Sequence, residues 1–451
     1  MKVLLVEPKY GYSEALTWIP IGKGYLATQA RNLGFEVKII DNALYPNKTY
    51  EQLSKEIEDF KPDIVGTGGM SLQWTDAKRV AKITREVAPE ALLVGGGVHL
   101  TALPDDGIDI FDLVAVGEGE ITFKEICERY KTTKSKIPDF YAGITGLVYR
   151  GFQDKQIHRE IKRDFVFDMD SLGWPSYDLL SIPDYHDHLV MGERGVSIMT
   201  GRGCPFDCTF CASPMITERK MRNFSIEFIF KQMEMLEKTY GFKNFRIMDD
   251  TFAASRPRVK KFTAEMKTRG LKYNFNCLTH VNTSNREMFD QMAEAGFSVV
   301  AFGIESANDE VLKIINKGTT KEIATKALKE SRAAGIIPEA LFMIGNVGDS
   351  EESIIETINF AKEYNAPFDG DIRKGFNWFQ FATPFPGSKF YLNAAEHGEI
   401  LSLDFDDYSH QRPVYIPKGL NYQMMCDLRE IGLRGEGINP HQVQVTSLHW
   451  D

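Results

Sequence analysis

The sequence is short of cysteine, of long apolar runs and of positive charge. Its six cysteines are unevenly spaced over 451 residues, which is no disulfide framework. The opening "MKVLLVEPKYGY" offers only a four-residue apolar run before Glu7, too short for a signal-peptide core. No later stretch approaches the roughly 20 apolar residues of a membrane helix. These absences lead to the expectation of a cytoplasmic protein with no membrane span. Lys and Arg number 53 against 63 Asp and Glu, a net charge of −10, which argues against a nucleic-acid surface built from clustered cations. There is no G-x-G-x-x-G after the first strand and no G-x-x-x-x-G-K-[ST], so neither a dinucleotide fingerprint nor a P-loop is present.

What is present is a repeating alternation. Apolar runs "KVLLV" (2–6), "EVKII" (36–40), "DIVGT" (63–67), "ALLVG" (91–95) and "DLVAV" (112–116) are separated by helix-length amphipathic segments. That pattern predicts βαβ units on a parallel, doubly wound sheet over residues 1–130. Glycines gather at the strand ends, where such sheets bind ligands: Gly66, Gly68 and Gly69, then Gly95, Gly96 and Gly97, then Gly117 and Gly119. Each alone reads equally well as a tight turn. Residues 131–194 carry Pro, Asp and Ser punctuation with little periodicity and read as a connector. His186 and His188 within it read as a solvated loop in preference to a metal pair, because no cysteine or third histidine stands nearby.

A second alternation starts near residue 195. Strands are predicted at "VSIMT" (196–200), "NFRIMD" (244–249), "YNFNCLT" (273–279), "SVVAFG" (298–303), "EALFMIG" (339–345) and "FNWFQF" (376–381), with helices between. Six β/α units predict a partial (β/α)6 TIM-type barrel over 195–390, whose chemistry belongs at the C-terminal strand ends. Cys204, Cys208 and Cys211 follow the first of these strands, Asp249 and Asp250 the second, His280 the third, Glu305 the fourth and Asn346 the fifth.

The cysteines lie in "TGRGCPFDCTFCASP" (200–214) with C-x3-C-x2-C spacing, which chance would produce in roughly one such chain in a thousand. A zinc site with a distant fourth ligand is the bland alternative. Three soft thiolates suit a [4Fe–4S] cluster with one open iron, able to chelate the amino and carboxylate groups of S-adenosylmethionine (SAM).

With these motifs, residues 1–390 resemble the radical SAM superfamily, in its cobalamin-binding branch. "VGGGVHLTALPDD" (94–106) and "DLVAVGEGEITFKEI" (112–126) resemble the cobalamin-binding domain ahead of many radical SAM cores. The resemblance implies cobalamin contacts at Pro8, Gly68, Gly69, Met70, Ser71, Leu72, Gly95, Gly96, Gly97, Val98, Gly117, Glu118 and Gly119. The D-x-H-x-x-G motif appears as "DNALYP" (41–46), with Ala43 at the histidine position and Pro46 at the glycine position, so that motif supplies no cobalt ligand. Met70, Leu72 or Trp74 would then lie toward the lower corrin face.

The resemblance further implies Phe210 against adenine and Asp249 or Asp250 of "MDDTF" on the SAM amino group. Glu305 of "FGIES" falls near the ribose, and Gly345 and Asn346 belong to the fifth-strand glycine motif. "TPFPGS" (383–388) is similar to the turn after the sixth strand. "CLTHVN" (277–282) departs from a commoner arginine and makes His280 a substrate-side candidate.

The implied activity is cobalamin-dependent methyl transfer to an unactivated carbon or phosphorus centre. The rivals are radical cyclisation, rearrangement or oxidation without methyl transfer, and a non-catalytic cobalamin carrier. The expected partners are a small-molecule, lipid or peptide substrate and a low-potential electron donor such as flavodoxin or ferredoxin, with no nucleic acid. For 391–451 no motif is found; "RPVYIPKG" (412–419) reads either as a cap on the barrel mouth or as packing.

Overall fold

The computed structural model describes residues 1–10, 19–45, 47–185, 188–189, 193–283, 285–365 and 376–434. Pro46, His186, the side chain of His188 and the end of the 391–451 extension fall outside what is described. The chain divides into two compact units, 1–187 with 404–409, and 188–403 with 410–451. Among the described residues no helix is long and apolar enough to cross a membrane.

The first unit is built on β1 (Lys2–Glu7), α1 (Ile21–Asn32), β2 (Glu36–Asp41), α2 (Tyr50–Phe60), β3 (Ile64–Gly68), α3 (Trp74–Val87), β4 (Leu92–Gly96), α4 (Val98–Ala102), β5 (Leu113–Ala115), α5 (Gly119–Thr133), β6 (Leu147–Arg150) and β7 (Ile157–Arg159). The strand order is β2-β1-β3-β4-β5-β6-β7, parallel as far as β5. Alternation along β1 feeds both faces: Val3 and Leu5 pack in one core, Leu4 and Val6 in the other. A strand buried on both sides reads as a continuous apolar run, which is why "KVLLV" stood out.

The expected boundary at residue 130 does not match this unit. β6 pairs antiparallel with β5 and β7 antiparallel with β6, and the stretch around residue 175 packs on α1. There Thr28 Oγ1 donates to the Trp174 carbonyl at 2.7 Å and Gln29 Nε2 to that of Leu172 at 2.8 Å. Gly24 permits this approach, since a Cβ there would lie 2.8 Å from Pro175.

The second unit opens with the short ribbon β8 (His188–Leu189) and β9 (Glu193–Arg194). It continues with β10 (Val196–Ile198), β11 (Gly201–Arg202), α6 (Ser213–Thr217), β12 (Arg222–Asn223), α7 (Ile226–Tyr240), β13 (Asn244–Ile247), α8 (Arg256–Arg269), β14 (Asn274–Thr279), α9 (Arg286–Glu294), β15 (Phe297–Glu305), α10 (Asp309–Ile314), α11 (Lys321–Ala333), β16 (Ile337–Ile344), α12 (Glu351–Asn365), β17 (Phe376–Phe381), α13 (Lys389–His397), β18 (Gly398–Ile400), β19 (Tyr415–Pro417) and α14 (Tyr422–Arg434). β10, β13, β14, β15, β16 and β17 form one parallel sheet in sequence order, the topology of six successive β/α units.

The helices start where their caps dictate: Ser225, Asn285, Thr320 and Ser388 each accept a backbone N–H at a helix N-terminus, satisfying donors the helix cannot. Phe245, Phe252, Phe262, Phe275 and Phe297 make an aromatic core, with Phe252 and Phe262 edge to face at 5.5 Å.

The C-terminal extension does not stand apart. β18 and β19 form a hairpin, Arg429 Nε of α14 donates to the Phe379 carbonyl at 2.9 Å, and Phe381 N–H donates to the His410 carbonyl at 2.9 Å. Within "RPVYIPKG", Tyr415 is fully buried and shares a cluster with Ala382, Phe390 and Ala394, against which Phe210, Met343 and Val347 pack. That segment is core beside the cysteine loop.

Candidate active site

Cys204, Cys208 and Cys211 lie between β11 and α6, and all three thiols are free. Gly203 starts the turn at φ +97°, where a Cβ would sit 2.1 Å from the Lys220 carbonyl oxygen, so the loop's entry requires glycine. Burial raises the proton affinity of all three thiols, that of Cys211 up to about 12, and metal binding there must release protons. Three free soft thiols on one loop, without a fourth cysteine beside them, fit a cluster of several irons.

Two flanks hold the loop. On one, Asp249 is buried and fully engaged. It accepts from Thr200 N at 2.7 Å, Gly201 N at 2.9 Å and the Thr200 hydroxyl, with Arg258 Nη1 at 3.9 Å. Asp250 is exposed. It accepts from Gly203 N and Ser213 Oγ, each at 3.2 Å, and keeps acceptor capacity facing solvent. Of the two aspartates, Asp249 is spent on the backbone and Asp250 is open.

On the other flank stands the turn after α10, "INKG" (315–318), which sequence reading missed. Ile315 O accepts from Thr209 N at 2.9 Å, and Asn316 Nδ2 donates to Asp207 O at 2.8 Å. Lys317 is buried, with Nζ 2.8 Å from Glu305 Oε1 and 5.6 Å from the Phe210 ring centroid. Glu305 sits at φ +71° where the β15–β16 register slips between Gly303 and Glu305, a strained backbone for a non-glycine residue. The only signal in the sequence was a Lys-Gly pair closing a short helix.

His280 belongs to this flank. Its ring stacks on Phe206 with centroids 3.7 Å apart; Nδ1 accepts from Asn282 N at 3.2 Å and Nε2 faces the Lys317 carbonyl at 3.1 Å. Since Nδ1 accepts, Nε2 carries the proton, and the imidazole is neutral. Burial, with Lys317 nearby, pushes its pKa down to about 3. Both nitrogens are used inside the protein, so the geometry gives His280 a loop-bracing position.

Beyond β16, Gly345 (φ +85°) and Asn346 donate their N–H groups to Asp349 Oδ2 at 3.0 and 2.8 Å. A Cβ on Gly345 would meet Met425 Cε at 2.4 Å. Asn346 Nδ2 donates to the Met343 carbonyl at 3.0 Å, while Asn346 Oδ1 is buried without a partner. An orphaned acceptor of this kind is where a ligand's donor belongs.

In the first unit, the strand-end glycines make close backbone contacts. A Cβ on Gly68 (φ +127°) would lie 2.0 Å from the Gly96 oxygen, and one on Gly97 (φ +95°) would lie 2.8 Å from Gly69 N. Met70 and Val98, 40% and 37% exposed, leave apolar surface at this edge, and Gly117 (φ +86°) has open space where a Cβ would stand. Glu118 and Gly119 lead into α5. A bare backbone edge flanked by apolar side chains fits a flat corrin.

Other expected contacts face inward. Pro8 is buried and its carbonyl accepts from Gln73 Nε2 at 3.0 Å; Gly95 packs on Phe111; Leu72 and Ser71 are buried. Trp74 is core, stacked on His99 at 4.5 Å. His99 is itself held between Ser71 Oγ and Asp106 Oδ2, each at 3.1 Å. Of the three lower-face candidates, Met70 is the exposed one.

Residues 198–361 match the family model described as the radical SAM superfamily, and residues 13–127 match the B12 binding domain. The chain is 32% identical over 422 residues, 92% of its length and 87% of the relative's, to an uncharacterized methyltransferase of Pyrococcus horikoshii. It is 24% identical over 95% of its length, and 69% of the relative's, to an anaerobic magnesium-protoporphyrin IX monomethyl ester cyclase of Cereibacter sphaeroides. Its fold is that of the radical SAM methyltransferase TsrM from Kitasatospora setae, solved with cobalamin and a [4Fe-4S] cluster bound. That match has a TM-score of 0.72 at 16% identity and covers 100% of this chain and 92% of that one.

Proposed function

The chain belongs to the radical SAM enzymes that carry a B12-binding domain, and from that premise we propose that it is a methyltransferase acting on an unactivated carbon or phosphorus centre. Its cofactors are those of the family: a [4Fe–4S] cluster, SAM and cobalamin. When bound, they supply a carbon radical strong enough to remove hydrogen from an unactivated position and a methyl group to replace it.

The chain's own residues bind, orient and shield. Cys204, Cys208 and Cys211 hold the cluster. Asp250 orients the SAM amino group, Glu305 meets the ribose, Phe210 covers the adenine, and the orphaned Asn346 Oδ1 accepts from a SAM donor. Met70 and Val98 flank the corrin edge formed by Gly68, Gly69, Gly96, Gly97 and Gly117, with Glu118 and Gly119 beside it. The single observation that carries the reading is the braced three-thiol loop with Asp250 left open beside it, in a chain whose other unit is a B12 domain.

Electrons come from a low-potential donor of the flavodoxin or ferredoxin kind. The substrate is a small molecule, lipid or peptide that enters from the C-terminal strand ends. A second reading, radical cyclisation or oxidation without methyl transfer, is favoured by the cyclase relative spanning 95% of the chain.

Anaerobic reconstitution with iron, sulfide and hydroxocobalamin should leave about four irons and one cobalt per chain after gel filtration. Cys208→Ala should lose the iron and all SAM cleavage while retaining cobalt. Turnover yielding both S-adenosylhomocysteine and 5′-deoxyadenosine supports methyl transfer. 5′-Deoxyadenosine alone supports the second reading, and iron without cobalt removes the main ground for the first.

A further inference from the structure

The turn that braces the cysteine loop also carries a cation sealed from water. The Lys317 and Glu305 side chains are 7% and 10% exposed and 2.8 Å apart. Burying an ammonium is costly unless it is paired, and here its partner is fixed on strained backbone at φ +71°. The ammonium lies 5.6 Å from the centroid of Phe210, the residue directly before Cys211. Its backbone is tied to the same loop, because the Lys317 carbonyl receives His280 Nε2–H and His280 stacks on Phe206 between Cys204 and Cys208. The pair is neutral overall, and its cationic end is the one set over the Phe210 ring.

We infer that Lys317 is a positioning residue for the iron–sulfur centre: a fixed, buried cation beside the Cys204–Cys208–Cys211 loop that stabilises the cluster's one-electron-reduced state. This rests on the cluster reading above. The step it favours is addition of one electron from an external low-potential donor, with no bond made or broken. Extra negative charge on the cluster is then offset by an ammonium that needs no reorganisation, in surroundings where charge interactions are poorly screened. Net charge and hydrogen bonding around a cluster are established determinants of its potential.

The test is an EPR-monitored redox titration of the reconstituted full-length protein, with dithionite as reductant. Iron is counted in every sample. In K317Q the reduction equilibrium should move at least tenfold toward the oxidised cluster, a midpoint lower by about 59 mV for one electron. K317R, which keeps the charge, should stay within threefold of wild type. E305Q, which removes the anion and keeps the cation, should move the midpoint upward. If K317Q fails to retain iron, the sign for E305Q decides, and a midpoint that is unchanged or lower overturns the inference. A fully loaded K317Q with the wild-type midpoint overturns it directly. A wild-type protein that takes up no cluster sinks the cluster reading itself, which the iron count reports separately.

Discussion

Replacing His280 separates a bracing role from a chemical one. In His280→Phe the stack on Phe206 survives, because a six-membered ring fills the space of the imidazole whose centroid lies 3.7 Å away. Two hydrogen bonds do not survive. The Lys317 carbonyl loses its donor and Asn282 N–H its acceptor, in a site where His280 is 5% exposed. An unsatisfied buried group costs roughly 1–3 kcal/mol, so the pair should cost about 3 kcal/mol. The loss should be local to the second unit. Hydrogen exchange read by mass spectrometry should show protection falling in peptides spanning 204–211 and 315–318, while β1 to β5 of the first unit are unchanged. His280→Gln, whose amide nitrogen reaches toward the place of Nε2, should recover about half. Iron retention should follow protection across the series, and 5′-deoxyadenosine formation per iron should change little. A His280→Phe protein with wild-type protection and iron content, normal SAM cleavage and no product would refute this reasoning. It would return His280 to the substrate.

Asp249→Asn should cost about 2 kcal/mol in the second unit and loosen the cysteine loop, since with Oδ1 kept for Thr200 N and Gly201 N the amide NH2 would replace Oδ2, facing the Thr200 hydroxyl and the Arg258 guanidinium. Asp250→Asn should leave stability within about 0.5 kcal/mol but weaken SAM binding by roughly tenfold or more, the worth of a charge-assisted contact, read by equilibrium binding to the loaded protein. Met70→Ala should leave stability within about 0.5 kcal/mol while reducing cobalt retained through gel filtration. Trp74→Phe should destabilise the first unit by about 1 kcal/mol through its stack on His99, with an unchanged cobalamin spectrum. For pH, burial holds the His99 pKa down at about 4, against an ordinary 6.5. A depressed histidine contributes stability that is intact above 6.5 and lost as pH falls toward 4. Between pH 7 and pH 5 that loss is about 2 kcal/mol. Burial raises Asp41 to about 6 in the same unit, which works in the opposite direction over that range. The check is therefore the difference between wild type and His99→Gln in denaturant titrations at the two pH values, and equal pH slopes would contradict it.

Both parallel sheets were legible because strands covered on both faces leave unbroken apolar runs. Each of the six barrel strands begins within two residues of its expected start. The cysteine loop was legible for a different reason, a spacing that local chemistry alone makes improbable. β6 and β7 were not, being four and three residues long, with Ile157–Arg159 largely open to solvent along the sheet's edge. The inward turn of Trp74 depends on His99 and, through it, on Phe405, whose ring meets His99 edge-on at 4.9 Å; no window of sequence contains all three. Lys317 is harder still, since its role exists only because the end of α10 docks under a loop about a hundred residues earlier. The choice between Asp249 and Asp250, by contrast, was already written in the chain. Phe245 and Ile247 are the buried positions of β13, alternating with Asn244 and Arg246, which are only partly covered. A period of two continued past the strand carries Asp249 inward and leaves Asp250 outside. An inward carboxylate must find donors or be neutralised, and the nearest donors are those of the neighbouring strand's end. Thr200 and Gly201 lie there because β10 pairs with β13, Ile198 against Ile247. The same parity argument predicts that in Asp249→Ala the Asp250 carboxylate, on the opposite side of the chain, cannot take over the lost contacts, so the stability loss read by denaturant titration should be the same in Asp249→Ala and in Asp249→Ala/Asp250→Asn.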